Sequence, residues 1–166
     1  AALINRDKER GLLTVAKPAI PVLLKMAVVH SPDDPRRVLA RSQGARVMRG
    51  PAQEIGMGSV DITPAADADP LLGPEAPELE CFHWHGDTFD LPAGAVLLAG
   101  NASYPHQAFR IGRGWGLQFH VEVDEGLAAD WAPHLPDGAT IDVPALEPVG
   151  RRVIGAWLDR VEAAGR

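Results

Sequence analysis

The apolar positions of the chain change period along its length, and the changes divide it into elements. Residues Ala1 to Val15 are weakly helical in composition. The run Ala19-Ile20-Pro21-Val22-Leu23-Leu24-Lys25-Met26-Ala27-Val28-Val29 is mostly apolar, which predicts a central strand buried on both faces with Pro21 near its start. His30 to Pro35 is turn chemistry; Asp34 as N-cap and Pro35 at the first helical position then predict a short helix through Ser42, stopped by Gly44. Ala45 to Arg49 and Glu54 to Thr63 alternate like half-buried strands. Placing Ile55, Met57, Val60 and Ile62 on one apolar side requires a register change near Gly58.

Thr63 to Glu78 is rich in Pro, Asp and Ala and reads as a surface connection. Short strands are predicted over Glu80 to His85, Ala95 to Ala99, Gln107 to Ile111 and Gly116 to Val123, separated by Leu91-Pro92-Ala93-Gly94, Gly100-Asn101 and Gly112-Arg113-Gly114. Val149, Val153, Ile154, Trp157, Leu158 and Val161 share one helical face, so an amphipathic helix follows them. No internal repeat is visible.

Composition narrows the picture. With 166 residues, 46% of them hydrophobic, one domain with a substantial core is expected over 1–166. The 17 Gly and 15 Pro follow no collagen-like period, so many turns and short elements are predicted. Sixteen Lys and Arg against 22 Asp and Glu give a net charge of −6 without a basic cluster, which argues against nucleic acid as a partner. The longest apolar run is broken by Pro21 and Lys25 and falls short of the roughly 20 residues a membrane helix needs, so no membrane association is expected. Cys81 is the single cysteine, and Arg6, Lys8 and Arg10 are not followed by an export signal. A cytoplasmic protein is the expectation.

Polar chemistry concentrates in two strand-like segments, Cys81-Phe82-His83-Trp84-His85-Gly86-Asp87-Thr88-Phe89 and Gly116-Leu117-Gln118-Phe119-His120-Val121-Glu122. His120 and Glu122 are two apart and share a strand face, where a carboxylate can accept the imidazole N–H and fix its tautomer. That is the base and orienting acid of a nucleophile-His-acid triad, although H-x-E alone equally marks a solvated strand pair. His83 and His85 also share a face, and with Asp87 or His120 they could form a metal site. The short motif favours backbone-bonded histidines over a metal, and none is expected. Trp84, Trp115, Trp131 and Trp157 read as packing residues. Arg36, Arg37 and Arg41 read as a solvated helix face.

Taken together, these segments resemble a known family. Gln118-Phe119-His120-Val121-Glu122 is similar to the Q-F-H-P-E motif of class I, triad-type glutamine amidotransferases, with Val121 in place of Pro. Glu54-Ile55-Gly56-Met57 resembles the family's E-I-G-W, and His83 to Phe89 with Leu91-Pro92 matches the H-W-H-G-D-T-F then L-P pattern of its GMP-synthase-like stand-alone members. Asn101 and Gln107 to Arg110 follow in the family's order. The resemblance runs from about residue 20 to 131. It implies an α/β, flavodoxin-like fold with a mixed, mostly parallel central sheet flanked by helices and an added antiparallel portion, lacking the family's opening strands. It implies glutamine as small-molecule substrate, a hydrolase or transferase reaction without cofactor, and a synthetase partner or a homodimer as the assembly. His120 would be the general base, Glu122 its orienting acid, and His85 and Asp87 would lie on the rim of the glutamine pocket.

The same resemblance demands G-x-C-x-G directly after the Ile20 to Val29 strand, because a strained elbow exposes the thiol and offers the next N–H to the oxyanion. Here the chain reads Met26-Ala27-Val28-Val29-His30-Ser31-Pro32. Ser31 is a poor substitute, since Pro32 has no N–H to donate. Cys81, early in a β-like run, reads as a small buried hydrophobe. An amidotransferase-like protein without glutaminase activity is therefore expected. The alternatives are a non-enzymatic binding or scaffold relative and, behind that, a His-based metal-binding domain.

Overall fold

The computed structural model describes residues 22–25, 40 and 43–164. The strand expected over Ile20 to Val29 is present as β1 (Val22–Lys25); its remaining residues, the Ala1 to Val15 segment, the Met26 to Pro32 elbow and Arg36, Arg37 and Arg41 lie outside the described residues, as does the Asp34 to Ser42 helix apart from Ala40. The other strands are β2 (Val47–Ile62), β3 (Glu78–Phe89), β4 (Val96–Gly100), β5 (Ala108–Ile111) and β6 (Gly114–Leu117). Helices α1 (Glu125–Trp131) and α2 (Val143–Ala164) close the chain.

Among the described residues the strands form one sheet in the order β1-β6-β5-β4-β2-β3, so β1, expected to be central, stands at the end of that order with β6 as its partner. Only β1 and β6 pair in parallel; every other neighbouring pair is antiparallel. This corrects the mostly parallel sheet expected. From β3 to β6 successive strands are joined by 6, 7 and 2 residues, too few for the crossover of a dozen or more that a parallel neighbour needs, and the 15-residue connection from β2 to β3 returns the chain antiparallel. The sheet is mixed and, with its helices, α/β.

The long β2–β3 ribbon sets the layout. Its pairing is regular from Glu54 opposite His85 to Asp61 opposite Glu78, and the irregularity falls between Arg49 and Glu54. No register change occurs at Gly58. Consequently Glu54, Gly56, Gly58, Val60 and Ile62 share one face of β2, while Ile55 and Met57 are on the other. Both faces are covered: Val60 and Ile62 join the main core with Leu79, Leu98, Phe119 and Val153, and Met57 packs with Phe82, Trp131 and Leu146. Alternation was a misleading guide because a strand covered on both sides need not alternate.

The Thr63 to Glu78 connection is packed, contrary to the surface segment expected. Ala66, Asp69, Leu71, Leu72 and Glu75 are buried. Asp69 tolerates burial because its carboxylate accepts the N–H groups of Leu71 and Leu72, the Trp115 indole N–H at 3.0 Å and Arg110 Nε at 3.1 Å. Glu75 receives a two-pronged contact from Arg152 at 2.8 and 2.7 Å, which ties this connection to α2.

Helix α2 starts six residues before Val149. Asp142 accepts the Ala145 N–H at 3.1 Å as a cap, and Pro148 is tolerated in the second turn, where it deprives only the Pro144 carbonyl of a partner. Leu146, Val149, Gly150 and Val153 are its buried residues, whereas Leu158, expected on the apolar face, is 46% exposed. Gly150 presses against the segment that carries the candidate site: a Cβ there would overlap the Val121 carbonyl oxygen. Alanine at 150 would gain about 1 kcal/mol of helix propensity, yet an overpacked backbone contact costs about 1–3 kcal/mol, so the contact wins. Gly150→Ala should lower the urea midpoint, and a raised midpoint would show that α2 does not pack on Val121 as described.

Candidate functional site

After β6 the chain continues along the sheet without regular pairing. This corrects the strand expected through Val123, which ends at Leu117. Gln118 still donates its backbone N–H to Gln107 O at 2.8 Å, and two residues later His120 exchanges both backbone hydrogen bonds with Phe82, at 3.0 and 2.8 Å. The sheet is therefore curled enough for its β3 edge to meet the chain leaving β6. Asp124 caps α1 immediately afterwards by accepting the Leu127 N–H.

His120 Nδ1 lies 2.9 Å from Glu122 Oε1, and Glu122 Oε2 accepts the Val121 N–H at 3.1 Å. An ionised carboxylate only accepts, so Nδ1 carries the shared proton and Nε2 is the nitrogen that can take up another. The imidazole is buried against Trp131, edge to face at 4.7 Å, and Phe82, at 6.1 Å, while the Glu122 side chain is half-buried. The arrangement holds a base in one tautomer and one orientation.

The other two expected site residues sit on β3. Asp87 is half-buried, 3.8 Å from Arg49 Nε, and its backbone carbonyl accepts the Gln118 side-chain amide. His85 is buried, with its Nε2 3.1 Å from Glu54 Oε2 and its ring edge to face with Tyr104 at 4.6 Å. Thus the structure joins His120 to Glu122 and ties Asp87 to the Gln118 end of the same segment, while His85 is drawn into a separate polar cluster.

That cluster contains residues to which the sequence reading gave no role. Cys81, His83 and His85 share one face of β3, opposite Gly58, Gly56 and Glu54 on β2. The Glu54 carboxylate accepts Asn101 Nδ2 at 3.0 Å and Gln107 Nε2 at 3.2 Å. Because β4 pairs only with the last two residues of β2, the two strands splay at Glu54 and those amides can enter. Cys81 is 0% exposed, with Sγ 3.5 Å from His83 Nε2. The usable signal was Glu54 itself, a charged residue on the same strand parity as Val60 and Ile62.

Burial lowers the proton affinity of both histidines. His83 is lowered chiefly by desolvation, opposed by the charge of Glu54. His85 falls to about 3, through desolvation first, then the neighbouring His83, with a further contribution from His120. With both rings held toward the neutral form, His85 meets Glu54 at hydrogen-bond distance, 3.1 Å, while His83 lies 3.6 Å away.

No protein-family model matches the chain. A glutamine amidotransferase-like protein of Salmonella typhimurium, YfeJ, is 31% identical over 106 residues, covering 61% of this chain and 44% of that protein. A glutamine amidotransferase of Thermotoga maritima superposes with a TM-score of 0.59 at 31% identity, covering 75% of this chain and 58% of the other. The chain is glutamine amidotransferase-like. A GMP-synthase-type protein of Thermoplasma acidophilum, 21% identical, shares the fold with a TM-score of 0.53, covering 76% of this chain and 55% of the other. The amidotransferase-like chain thus spans between two fifths and three fifths of these relatives' lengths. Among its described residues no helix is long and apolar enough to cross a membrane.

The buried histidines make stability depend on pH. The folded pKa of His85 lies below the ordinary value of 6.5, so the unfolded chain binds the extra proton; stability present above pH 6.5 is lost as pH falls toward about 3. The urea midpoint should drop between pH 6.5 and 4. His85→Asn should flatten the dependence by up to about 1.4 kcal/mol per pH unit, the value of one proton. An unchanged slope would mean that His85 titrates normally.

Proposed function

We propose that this chain keeps the base and orienting acid of a Cys-His-Glu glutaminase and does not itself release ammonia from glutamine. The observation that carries the reading is the 2.9 Å contact between His120 Nδ1 and Glu122 Oε1 in a glutamine amidotransferase-like chain. In the complete reaction His120 takes the thiol proton on Nε2, the thiolate attacks the side-chain amide, His120 passes that proton to the departing ammonia, and His120 then takes a proton from the water that hydrolyses the thioester. Glu122 holds the imidazole in the tautomer both steps need. Asp87 and His85 shape the pocket for glutamine, Asp87 through its link to the Gln118 segment and His85 from behind, as a buried support. A synthetase acceptor or a second copy is the proposed partner, and the cytoplasm the proposed location.

The chain lacks a thiol where the resemblance calls for one. Residues 26–32 contain neither Cys nor Gly, and Pro32 supplies no N–H after Ser31. The single thiol, Cys81, has no exposed surface from which to attack a substrate. Loss of a triad nucleophile costs on the order of a millionfold in turnover in other triad enzymes. The His120–Glu122 pair that remains without a nucleophile favours a second reading, a non-enzymatic relative that binds a ligand or partner.

A glutamate-dehydrogenase-coupled assay should therefore detect no ammonia from glutamine with the purified chain. Ser31→Cys should also be inactive, because it restores the thiol without the oxyanion donor or the elbow glycines. Turnover in either protein that His120→Ala abolishes would overturn the inactivity and establish the base; turnover lost on Cys81→Ala would make Cys81 the nucleophile.

A further inference from the structure

Away from the His120–Glu122 pair, the described residues contain one close group of metal-ligating side chains: Glu54 on β2 with His83 and His85 on β3. Three donor atoms converge there. His85 Nε2 is 3.1 Å from Glu54 Oε2, His83 Nδ1 is 3.6 Å from the same oxygen, and the two nitrogens are 3.4 Å apart. An ion with bonds of about 2.0–2.2 Å to N and O donors separates the corners of its tetrahedron by about 3.3–3.6 Å. The triangle has the size of one tetrahedral face. Hydrogen bonding explains its shortest edge; the other two are longer than a well-formed N–H···O or N–H···N contact.

Ligands held by outer hydrogen bonds are oriented before an ion arrives, and two of the three donors here, Glu54 and His83, have such contacts. Asn101 Nδ2 holds Glu54 Oε1, Gln107 Nε2 holds Glu54 Oε2, and the remote nitrogen of His83 contacts Cys81 Sγ. Gly58 leaves the space the His83 ring occupies: a Cβ at that position would lie 2.9 Å from His83 Cδ2. Two imidazoles and one carboxylate suit zinc and the neighbouring first-row ions, whereas calcium and magnesium prefer all-oxygen shells. Both rings are buried, and the carboxylate, with its side chain 19% exposed, marks the side from which an ion enters.

We propose that Glu54, His83 and His85 bind one zinc ion, through Oε2, Nδ1 and Nε2 respectively, with a fourth position left to water on the Glu54 side. The ion would clasp β2 to β3 at the cross-strand pair Glu54 and His85; it shares His85 with the proposed glutamine pocket, but its binding requires neither glutamine nor a nucleophile. Asp87 and His120, the partners that strand spacing suggested for His83 and His85, are not in this donor set.

The test is zinc binding to the whole chain after chelator treatment, measured by calorimetry and elemental analysis, with cobalt as a spectroscopic substitute. About one equivalent should bind, cobalt should give the intense visible bands of a tetrahedral site, and the melting temperature should rise by about 5–10 °C at free zinc near 100 times Kd. Glu54→Gln, which keeps size and shape, and His83→Ala should each weaken binding by more than about 100-fold, since loss of an outer-layer partner alone costs about 10–100-fold. His134→Ala, in an exposed histidine outside the cluster, should change nothing. No stoichiometric binding by the native chain, octahedral cobalt bands, or undiminished affinity in Glu54→Gln would overturn the proposal. Because Glu54→Gln and the cobalt spectrum do not require removal of a buried ring, the result stands even if His83→Ala fails to fold.

Discussion

The candidate site depends on the outer edge of β3 being paired. In the sheet order β3 is terminal, with β2 on one side, and its other side presents backbone donors and acceptors that an edge strand must cover. The reciprocal hydrogen bonds between Phe82 and His120 cover it and, in the same contact, fix where His120 stands. Curling of the sheet makes this possible, since β6 and β3 are four strands apart in the order. From that bridge the remaining features follow: Val121 meets Gly150 of α2, Glu122 folds back onto the imidazole, and Asp124 starts α1.

The two sides of β3 carry different chemistry. Phe82 and Trp84 pack with Trp131 and build the apolar wall behind His120, where exclusion of water strengthens the contact to Glu122. On the opposite side Cys81, His83 and His85 turn inward, and the cost of burying them is offset by Glu54 and the two amides that hold it. A carboxylate in such a place organises several partners at once, and the same is true of Asp69 beneath Trp115. In the Thr63 to Glu78 connection the carboxylates of Asp69 and Glu75 act together with the buried Ala66, Leu71 and Leu72 to fix its position.

Much of this was legible in the sequence. Strand existence from Glu80 to Ile111, the terminal amphipathic helix and the His120–Glu122 contact follow from local periodicity and spacing, because each depends on residues close in the chain. Residues two apart share a strand face, and the His120 and Glu122 side chains meet even though Gln118 to Val123 is not a regular strand, since one bridge suffices to fix His120. What was not legible depends on distant partners. Ile55 and Met57 were expected beside Val60 and Ile62 because nothing local shows that β2 is covered on both faces, with Met57 packing on the other one. Asp69 and Glu75 looked like surface acids because Trp115, Arg110 and Arg152 lie far along the chain. Glu54 had no assigned role because its histidines are about thirty positions away.

The central claim is that Glu122 holds His120 with its Nδ1 protonated and its Nε2 unprotonated. Long-range proton–nitrogen correlation on histidine-labelled protein reads this directly. The account predicts an Nδ1–H for His120, slow to exchange, whose signal is lost or strongly shifted in Glu122→Ala. A His120 ring protonated at Nε2 with bare Nδ1, or one indifferent to Glu122→Ala, would contradict it.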